Sequence, residues 1–343
     1  MDFLRLKVTR KEIVATDTVL VYLAEINDLP INYEAGQFLT FIIPVNGREL
    51  RRSYSMSTTP GVDTEVAVVI KKIENGEVSR YLIDHLEPGD VITALPPSGR
   101  FILQTSAISQ RTVFFISAGS GISPVFSLLK KLLFEEKLSR AILVNQNRDE
   151  ASSTFNDELS KLQDAFPGRF IMIKLLSNPS HVNVYPQRLN NTLFEQILRS
   201  QNYKMTDEFF LCGPRSFMLM LQFVLRWMGI SEKNIRKEYF VVDTIPRPPF
   251  LADLSPKKIS LHWKNRDEQF TVRYPENILQ AALKHDLHLP YSCRGGRCGT
   301  CAVKCHSGSV IMSINEVLTE KDLQQGLVLT CVGYAETDLE LEL

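Results

Sequence analysis

From residue 4 to about residue 104, apolar and polar positions alternate in short runs. Examples are Thr18-Val19-Leu20-Val21-Tyr22-Leu23 and Glu65-Val66-Ala67-Val68-Val69-Ile70, which read as β-strands. Turn pairs divide them at Ala35-Gly36, Asn46-Gly47, Pro60-Gly61, Asn75-Gly76 and Pro88-Gly89. Evenly spaced strands with that punctuation predict an antiparallel β-barrel over residues 1–104. From Arg111 the pattern changes to strands alternating with helices. Thr112-Val113-Phe114-Phe115-Ile116-Ser117 reads as a buried strand, and residues 125–133 as an apolar helix. Residues 105–242 are therefore expected to form an α/β domain on a parallel sheet. Residues 243–256, which begin Asp243-Thr244-Ile245-Pro246-Arg247-Pro248-Pro249-Phe250, are proline-dense and aperiodic. They read as a semi-rigid linker. In residues 257–343 a hairpin at 259–263 and 269–274 precedes a helix at 278–284 capped by Asn277, a glycine- and cysteine-rich loop and a strand at 326–330. This last part is expected to be α+β.

The 343 residues suffice for several domains, each with its own core. Lys+Arg and Asp+Glu both number 39, so the net charge is zero and no nucleic-acid partner is indicated. The start, Met1-Asp2-Phe3-Leu4-Arg5-Leu6-Lys7, has no apolar signal core, and no run is long enough to span a bilayer. A cytoplasmic location, with reduced thiols, is expected.

Three of the six cysteines fall in one loop. Cys293, Cys298 and Cys301, with Cys331 further on, give the C-x4-C-x2-C…C spacing of plant-type [2Fe–2S] ferredoxins. Such a cluster needs four thiolates, two on each iron. Gly295, Gly296 and Gly299 suit a tight loop whose N–H groups approach the sulfides. Structural zinc usually pairs two C-x2-C knuckles, and only one is present. Disulfides do not suit a reducing compartment. Cys305 is a rival fourth ligand; Cys331 is preferred because the strand before it can return to the loop.

Four motifs in the first third carry further chemistry: Arg52-Ser53-Tyr54-Ser55, then Gly76-Glu77-Val78-Ser79-Arg80-Tyr81-Leu82, then Gly89-Asp90, then Pro97-Ser98-Gly99-Arg100-Phe101. Alone, the first is an ordinary strand edge and the second an ordinary capped helix. In this order they resemble the flavin domain of the ferredoxin–NADP reductase family. The resemblance implies a flavin, FAD in preference to the FMN that some members with a carboxy-terminal ferredoxin domain hold. Arg52 would pair with a flavin phosphate, a task suited to a guanidinium, and Ser53 would join it in the flavin site. Tyr54 would lie against the isoalloxazine, and Ser55 would hydrogen-bond near N5. Gly76, Val78 and Ser79 would cradle the pyrophosphate.

In the middle third, Ala118-Gly119-Ser120-Gly121-Ile122-Ser123-Pro124 follows a strand and opens a helix, with Ser123 as N-cap and Pro124 as first helical residue. The family's nicotinamide-nucleotide turn is similar, which implies Gly119, Ser120, Gly121, Ser123 and Pro124 as NADPH- or NADH-binding residues. Arg148, after the next strand, suits a 2′-phosphate, while its neighbours Asp149 and Glu150 would suit a ribose hydroxyl; NADPH is preferred. The resemblance also places Cys212, Gly213 and Pro214 beside the nicotinamide, with Ser55 and Cys212 as the catalytic pair. Phe240, in Glu238-Tyr239-Phe240, would border the flavin.

The last third resembles the ferredoxin β-grasp fold. Taken whole, the chain looks like the reductase subunit of a multicomponent oxygenase. The nucleotide gives two electrons together and an iron–sulfur cluster accepts one, so a flavin must mediate. The expected partner is a protein electron acceptor, an oxygenase component. A hybrid-cluster protein or a desaturase would be alternative acceptors. A redox sensor or zinc protein without turnover is the reading from another class.

Overall fold

The computed structural model describes residues 3–45, 47–180, 185–240, 247–263 and 266–343. Asn46 of the second turn and linker residues Asp243, Thr244, Ile245 and Pro246 lie outside the described residues. The chain divides into two compact units, residues 3–241 and residues 242–343.

The first unit opens with six strands: β1 (Leu4–Ala15), β2 (Thr18–Glu25), β3 (Phe38–Val45), β4 (Arg48–Ser55), β5 (Val66–Lys71) and β6 (Val91–Ser98). They pair antiparallel in the order β4-β3-β6-β1-β2-β5. A bridge between Met56 and Val68 joins the two ends of this sheet and closes the barrel. Closure removes the open edges of the sheet. Leu6, Val8, Val21, Leu39, Phe41 and Met56 fill the inside, and Val78 and Leu82 of helix α1 (Glu77–His85) pack into the same core.

A five-stranded parallel sheet follows, made of β7 (Thr112–Ala118), β8 (Arg140–Asn147), β9 (Phe170–Leu176), β10 (Glu208–Cys212) and β11 (Ile235–Glu238). Its order is β11-β10-β7-β8-β9. The winding reverses between β7 and β10, and a crevice at the carboxyl ends of such a pair is where open α/β sheets bind ligands. Helices α2 (Ile122–Glu135) and α3 (Asn156–Ala165) cover one face, and α4 (Asn191–Ser200) and α5 (Arg215–Trp227) the other.

The barrel and this sheet share one apolar cluster, in which Leu20, Ala67 and Phe101 meet Val125, Leu128 and Leu129 of α2. Polar contacts fix the seam. Thr59 Oγ1 donates to the Ser127 carbonyl at 2.9 Å, Ser127 Oγ donates to the Thr58 carbonyl at 2.6 Å, and Lys130 Nζ pairs with Asp63. Burial lowers the pKa of Lys130, and Asp63 opposes that shift. Asp63→Ala is expected to lower stability by about 3 kcal/mol, because it leaves a buried ammonium unpaired. Urea unfolding of the variant checks this.

The second unit holds β12 (Lys257–Trp263), β13 (Arg266–Val272), α6 (Ile278–Lys284), β14 (Ala302–Ser307), β15 (Val310–Met312), α7 (Glu320–Gln324), β16 (Leu327–Leu329), β17 (Gly333–Ala335) and β18 (Leu339–Glu342). Five strands form a mixed sheet in the order β13-β12-β18-β14-β16. Ile278, Leu279, Ala281 and Ala282 of α6 pack with Ile259, Leu261, Val303 and Leu341 of the sheet. The Asn277 side chain caps α6 within a complete capping box.

The acidic tail departs from expectation. Alternating charge there suggests a solvated strand edge, yet β18 lies between β12 and β14. Leu339 and Leu341 enter the core, while the outward carboxylates are held by histidines. Glu340 Oε1 lies 3.2 Å from His262 Nε2, and Glu342 Oε2 lies 2.6 Å from His306 Nε2. Among the described residues no helix is long and apolar enough to cross a membrane.

Candidate functional site

Three side chains from distant parts of the sequence meet at the carboxyl end of the parallel sheet. Ser55 ends β4, Cys212 ends β10, and Glu238 ends β11 level with Cys212. Ser55 Oγ donates to Glu238 Oε2 at 3.1 Å, across 183 residues of sequence. Burial pushes the Glu238 carboxyl up to about 8, and the Ser55 hydroxyl only partly offsets this. The Cys212 thiol is wholly buried; burial, and then the nearby Glu238, raise its pKa well above the ordinary thiol range. At neutral pH the group is thus a hydroxyl, a thiol and a protonated carboxyl. It can hold and pass a proton but offers no thiolate nucleophile.

The glycine turn stands beside this group. Gly119–Gly121 forms one 3-10 turn that runs straight into α2 at Ile122. Ser123 is therefore not the N-cap, as the sequence suggests; its Oγ donates to the Ser120 carbonyl at 3.0 Å. Pro124 is tolerated because first-turn N–H groups have no helical acceptor. A Cβ on Gly121 would lie 2.1 Å from the Cys212 carbonyl oxygen, so only glycine fits between the two strand ends. Gly213 is equally confined, by Phe217 and Ala118, and Pro214 caps α5. Lys71 of the barrel, not marked by any sequence motif, brings its Nζ to 3.9 Å from where a Gly119 Cβ would stand.

Around the barrel, Tyr54 packs on Phe41 with ring centroids 5.3 Å apart, and burial raises its phenol pKa. Thr40 holds the Ser53 hydroxyl at 2.9 Å. The exposed Arg52 donates from Nη1 to the Arg51 carbonyl at 2.7 Å. Helix α1 begins after Gly76 without a side-chain cap. Next to its N-terminus lies a recess of about 350 Å³ lined by Asn75, Gly76, Glu77 and Arg80. A Cβ on Gly76 would meet Ser79 Oγ at 2.6 Å. That Oγ accepts the Ile73 N–H at 3.1 Å, which folds the preceding loop onto the helix start, and Val78 beside it is buried. An uncapped helix start with a cation at its rim fits a phosphate.

Arg148 follows β8 with its side chain 77% exposed, 3.8 Å from Asp149. Asp149 is occupied by the turn itself: its Oδ1 accepts the Ser152 N–H at 2.9 Å. Phe240, just past β11, is also exposed.

In the second unit Cys293, Cys298, Cys301 and Cys331 come together. The Cys293 sulfur lies within interaction range of those of Cys298 and Cys331, and the Cys301 sulfur within range of that of Cys331. The Cys298 and Cys331 thiols, with the backbone N–H groups of Gly295 and Arg297, hold the Cys293 pKa down. The Gly295 N–H lies 3.4 Å from Cys293 Sγ. Positive φ falls on Arg294, Gly296 and Gly299 rather than on Gly295. A Cβ on Gly296 would meet the Ile314 carbonyl oxygen at 2.8 Å. At Gly296 the loop thus packs too closely on Ile314 and Val332 to admit a side chain. Thr330 ties the Cys331 turn to this loop, its N–H donating to the Cys301 carbonyl at 3.1 Å. Cys305 stands apart on β14, its Sγ 3.3 Å from the Ser307 carbonyl. No group of three or more His, Cys, Asp or Glu among the described residues is arranged as the ligand set of one ion. Four thiols gathered in one site suit a cluster with two ligands on each iron.

Residues 5–102 match the model of the oxidoreductase FAD-binding domain, residues 115–222 that of the oxidoreductase NAD-binding domain, and residues 261–336 that of the 2Fe-2S iron-sulfur cluster binding domain. The chain is 32% identical over 337 residues to a subunit of the 1,2-phenylacetyl-CoA epoxidase of Escherichia coli (strain K12), covering 96% of the chain and 94% of that protein. It is 30% identical over 325 residues to the 3-ketosteroid-9-alpha-monooxygenase ferredoxin reductase component of Mycobacterium tuberculosis (strain CDC 1551 / Oshkosh), covering 92% and 86%. The solved structure of phthalate dioxygenase reductase aligns with a TM-score of 0.60 at 24% identity, over 99% of this chain and 98% of that one.

Proposed function

The chain belongs to the ferredoxin–NADP reductase family, in the branch that ends in a plant-type [2Fe–2S] ferredoxin domain, and on that premise we propose that it delivers electrons from NADPH to an oxygenase component. It is an NAD(P)H-dependent oxidoreductase that carries FAD and a [2Fe–2S] cluster. When bound, the flavin accepts hydride and releases electrons singly to an iron–sulfur centre, which neither other carrier can do.

The meeting of Ser55, Cys212 and Glu238 beside the glycine turn carries this reading. Gly119, Ser120, Gly121, Ser123 and Pro124 would seat the nucleotide pyrophosphate at the start of α2, with Lys71 as a cation. Cys212, Gly213 and Pro214 would hold the nicotinamide against the flavin, and Ser55 would donate to the flavin edge. Arg52, Ser53, Tyr54, Gly76, Val78, Ser79 and Phe240 would hold FAD. Cys293, Cys298, Cys301 and Cys331 would ligate the irons in a reducing compartment, the cytoplasm. In domain terms this is a flavin barrel over 1–104, a nucleotide domain over 105–242, a linker over 243–256 and a ferredoxin domain over 257–343.

The exposed Arg148 favours NADPH, since Asp149 is held in its own turn. Arg148→Ala is expected to raise KM for NADPH about tenfold while leaving KM for NADH within a factor of two. Steady-state kinetics with both donors checks this.

Relatives named as parts of an epoxidase and a monooxygenase support an oxygenase as the acceptor. Holoprotein supplied with NADPH should reduce cytochrome c, and zero rate with both nucleotides would exclude the reading. A co-purified oxygenase subunit would support the proposed acceptor; a hybrid-cluster protein or desaturase in its place would overturn it. The match of residues 261–336 to an iron–sulfur domain leaves a zinc protein unsupported.

A further inference from the structure

Arg297 stands in the cysteine loop between Cys293 and Cys298, with its side chain only 3% exposed. Its Nε lies 2.7 Å from Glu316 Oε2, and both atoms are shut off from water. The other arginine of the loop, Arg294, is exposed and lies over the Tyr291 ring at 4.3 Å, where water screens its charge. A buried guanidinium acts at a lower dielectric, so its charge reaches the neighbouring sulfurs.

Both partners are held by the backbone. The Glu316 N–H donates to the Gly296 carbonyl at 3.0 Å, one residue before Arg297. Asn315 Oδ1 accepts the Val317 N–H at 3.2 Å and the Leu318 N–H at 2.8 Å, which fixes the turn that carries the carboxylate. The Arg297 N–H in turn is a donor to the Cys293 sulfur. Neither charge is therefore free to swing out to solvent.

Packing alone does not explain two charges here. Taking an ion pair out of water often costs more than its attraction returns, and an apolar pair of similar volume fills such a space as well. The cluster supplies a reason. Its four thiolates make it anionic, and one-electron reduction adds a further negative charge with no bond made or broken. A buried cation beside it, left unbalanced, favours the reduced form; a buried carboxylate, left unbalanced, opposes it.

The geometry points to the Arg297–Glu316 pair as the charge balance that sets the reduction potential of the [2Fe–2S] cluster. Neither residue ligates iron. The inference rests on the assignment of Cys293, Cys298, Cys301 and Cys331 as the ligands.

The test is a spectroelectrochemical titration of the cluster in holoprotein, followed by its visible and EPR spectra. Glu316→Gln keeps the size and an acceptor for Arg297 but removes the negative charge. It should raise the potential by about tenfold in the reduction equilibrium, or about 59 mV for one electron. Arg297→Gln removes the positive charge and should lower the potential by a similar factor. Opposite shifts are the signature, because a loosened loop would move both single variants the same way. Shifts of one sign, or unchanged potentials, would overturn the proposal and leave the pair a brace of the loop. Removing one partner of a buried pair is strongly destabilising, so the double variant decides where a single one loses its iron. Arg297→Gln with Glu316→Gln should keep the cluster, with a reduction equilibrium within a factor of two of wild type. Loss of iron or a larger shift in the double variant would overturn the charge balance. Wild-type protein without an iron–sulfur spectrum would instead remove the ligand assignment itself.

Discussion

Cys331→Ser is expected to give a yellow protein that NADPH still bleaches but that no longer passes electrons to cytochrome c. Loss of one of four thiolates should remove the cluster, because serine is a poor ligand for iron that prefers soft sulfur. The flavin barrel and the parallel sheet belong to the other compact unit and have their own cores. The flavin should therefore remain reducible, while cytochrome c reduction falls by about a hundredfold or more, since the single-electron carrier is gone. Cys305→Ser is the matched control. That thiol lies outside the sulfur contacts, against the Ser307 carbonyl, and its replacement should spare the visible iron–sulfur spectrum. A Cys305→Ser protein that keeps its yellow flavin but lacks the iron–sulfur absorption, beside a normal Cys331→Ser, would reverse the ligand assignment. Visible spectra and iron and sulfide content of the two variants decide between them.

The cluster loop is readable from sequence because its signal is local. Three ligands and their glycines lie within nine residues, and spacing alone names the chemistry. The fourth ligand is less so, since Cys331 meets the loop only through the return of β16. The barrel is also legible, because period-two runs and glycine turns are local signals. Its closure by Met56 and Val68 is not, as no short-range pattern records a bridge between strand ends. The start of α2 differs from its local signal for a related reason. Ser123-Pro124 is a good local N-terminus, but packing of Gly121 against Cys212 winds the turn earlier into the helix. For β18, Leu-Glu alternation gives one wet and one dry face but says nothing of lateral neighbours, so a central strand reads as an edge.

The main omissions at the site follow the same rule. Glu238 reads only as the residue two before an aromatic, because its burial and its bond to Ser55 depend on a contact across 183 residues. Lys71 reads as the polar end of a strand until the barrel sets it beside Gly119. Each acquires chemistry only when the seam between barrel and sheet forms.

Glu238→Gln tests that seam most severely, and two effects are expected. The first is on stability. The carboxyl titrates near 4.5 when unfolded and about 8 when folded. Between those values the folded state holds a proton that the unfolded chain has released, so stability falls as pH rises and levels off above 8. The shift corresponds to a loss on the order of 5 kcal/mol across that window. Gln cannot ionise, so the variant should gain on the wild type as pH rises from 5 to 8.5, read from urea midpoints of the holoproteins. The second effect is on rate. With its proton in place at neutral pH, Glu238 can donate to Ser55 Oγ and leave the Ser55 hydroxyl hydrogen for the flavin edge. The hydride itself carries the hydrogen, so no proton is consumed, and a preorganised hydrogen bond of this kind contributes about 100-fold or more. Ser55→Ala should slow flavin reduction by roughly that factor with little change in the urea midpoint. Wild-type flavin reduction should fall through an apparent pKa near 8, as the ionised carboxylate draws the hydroxyl back to itself. Glu238→Gln, whose amide can donate to Ser55 at every pH, should be flat over the same range. Parallel profiles for wild type and variant would show that ionisation of the buried carboxyl does not govern the rate.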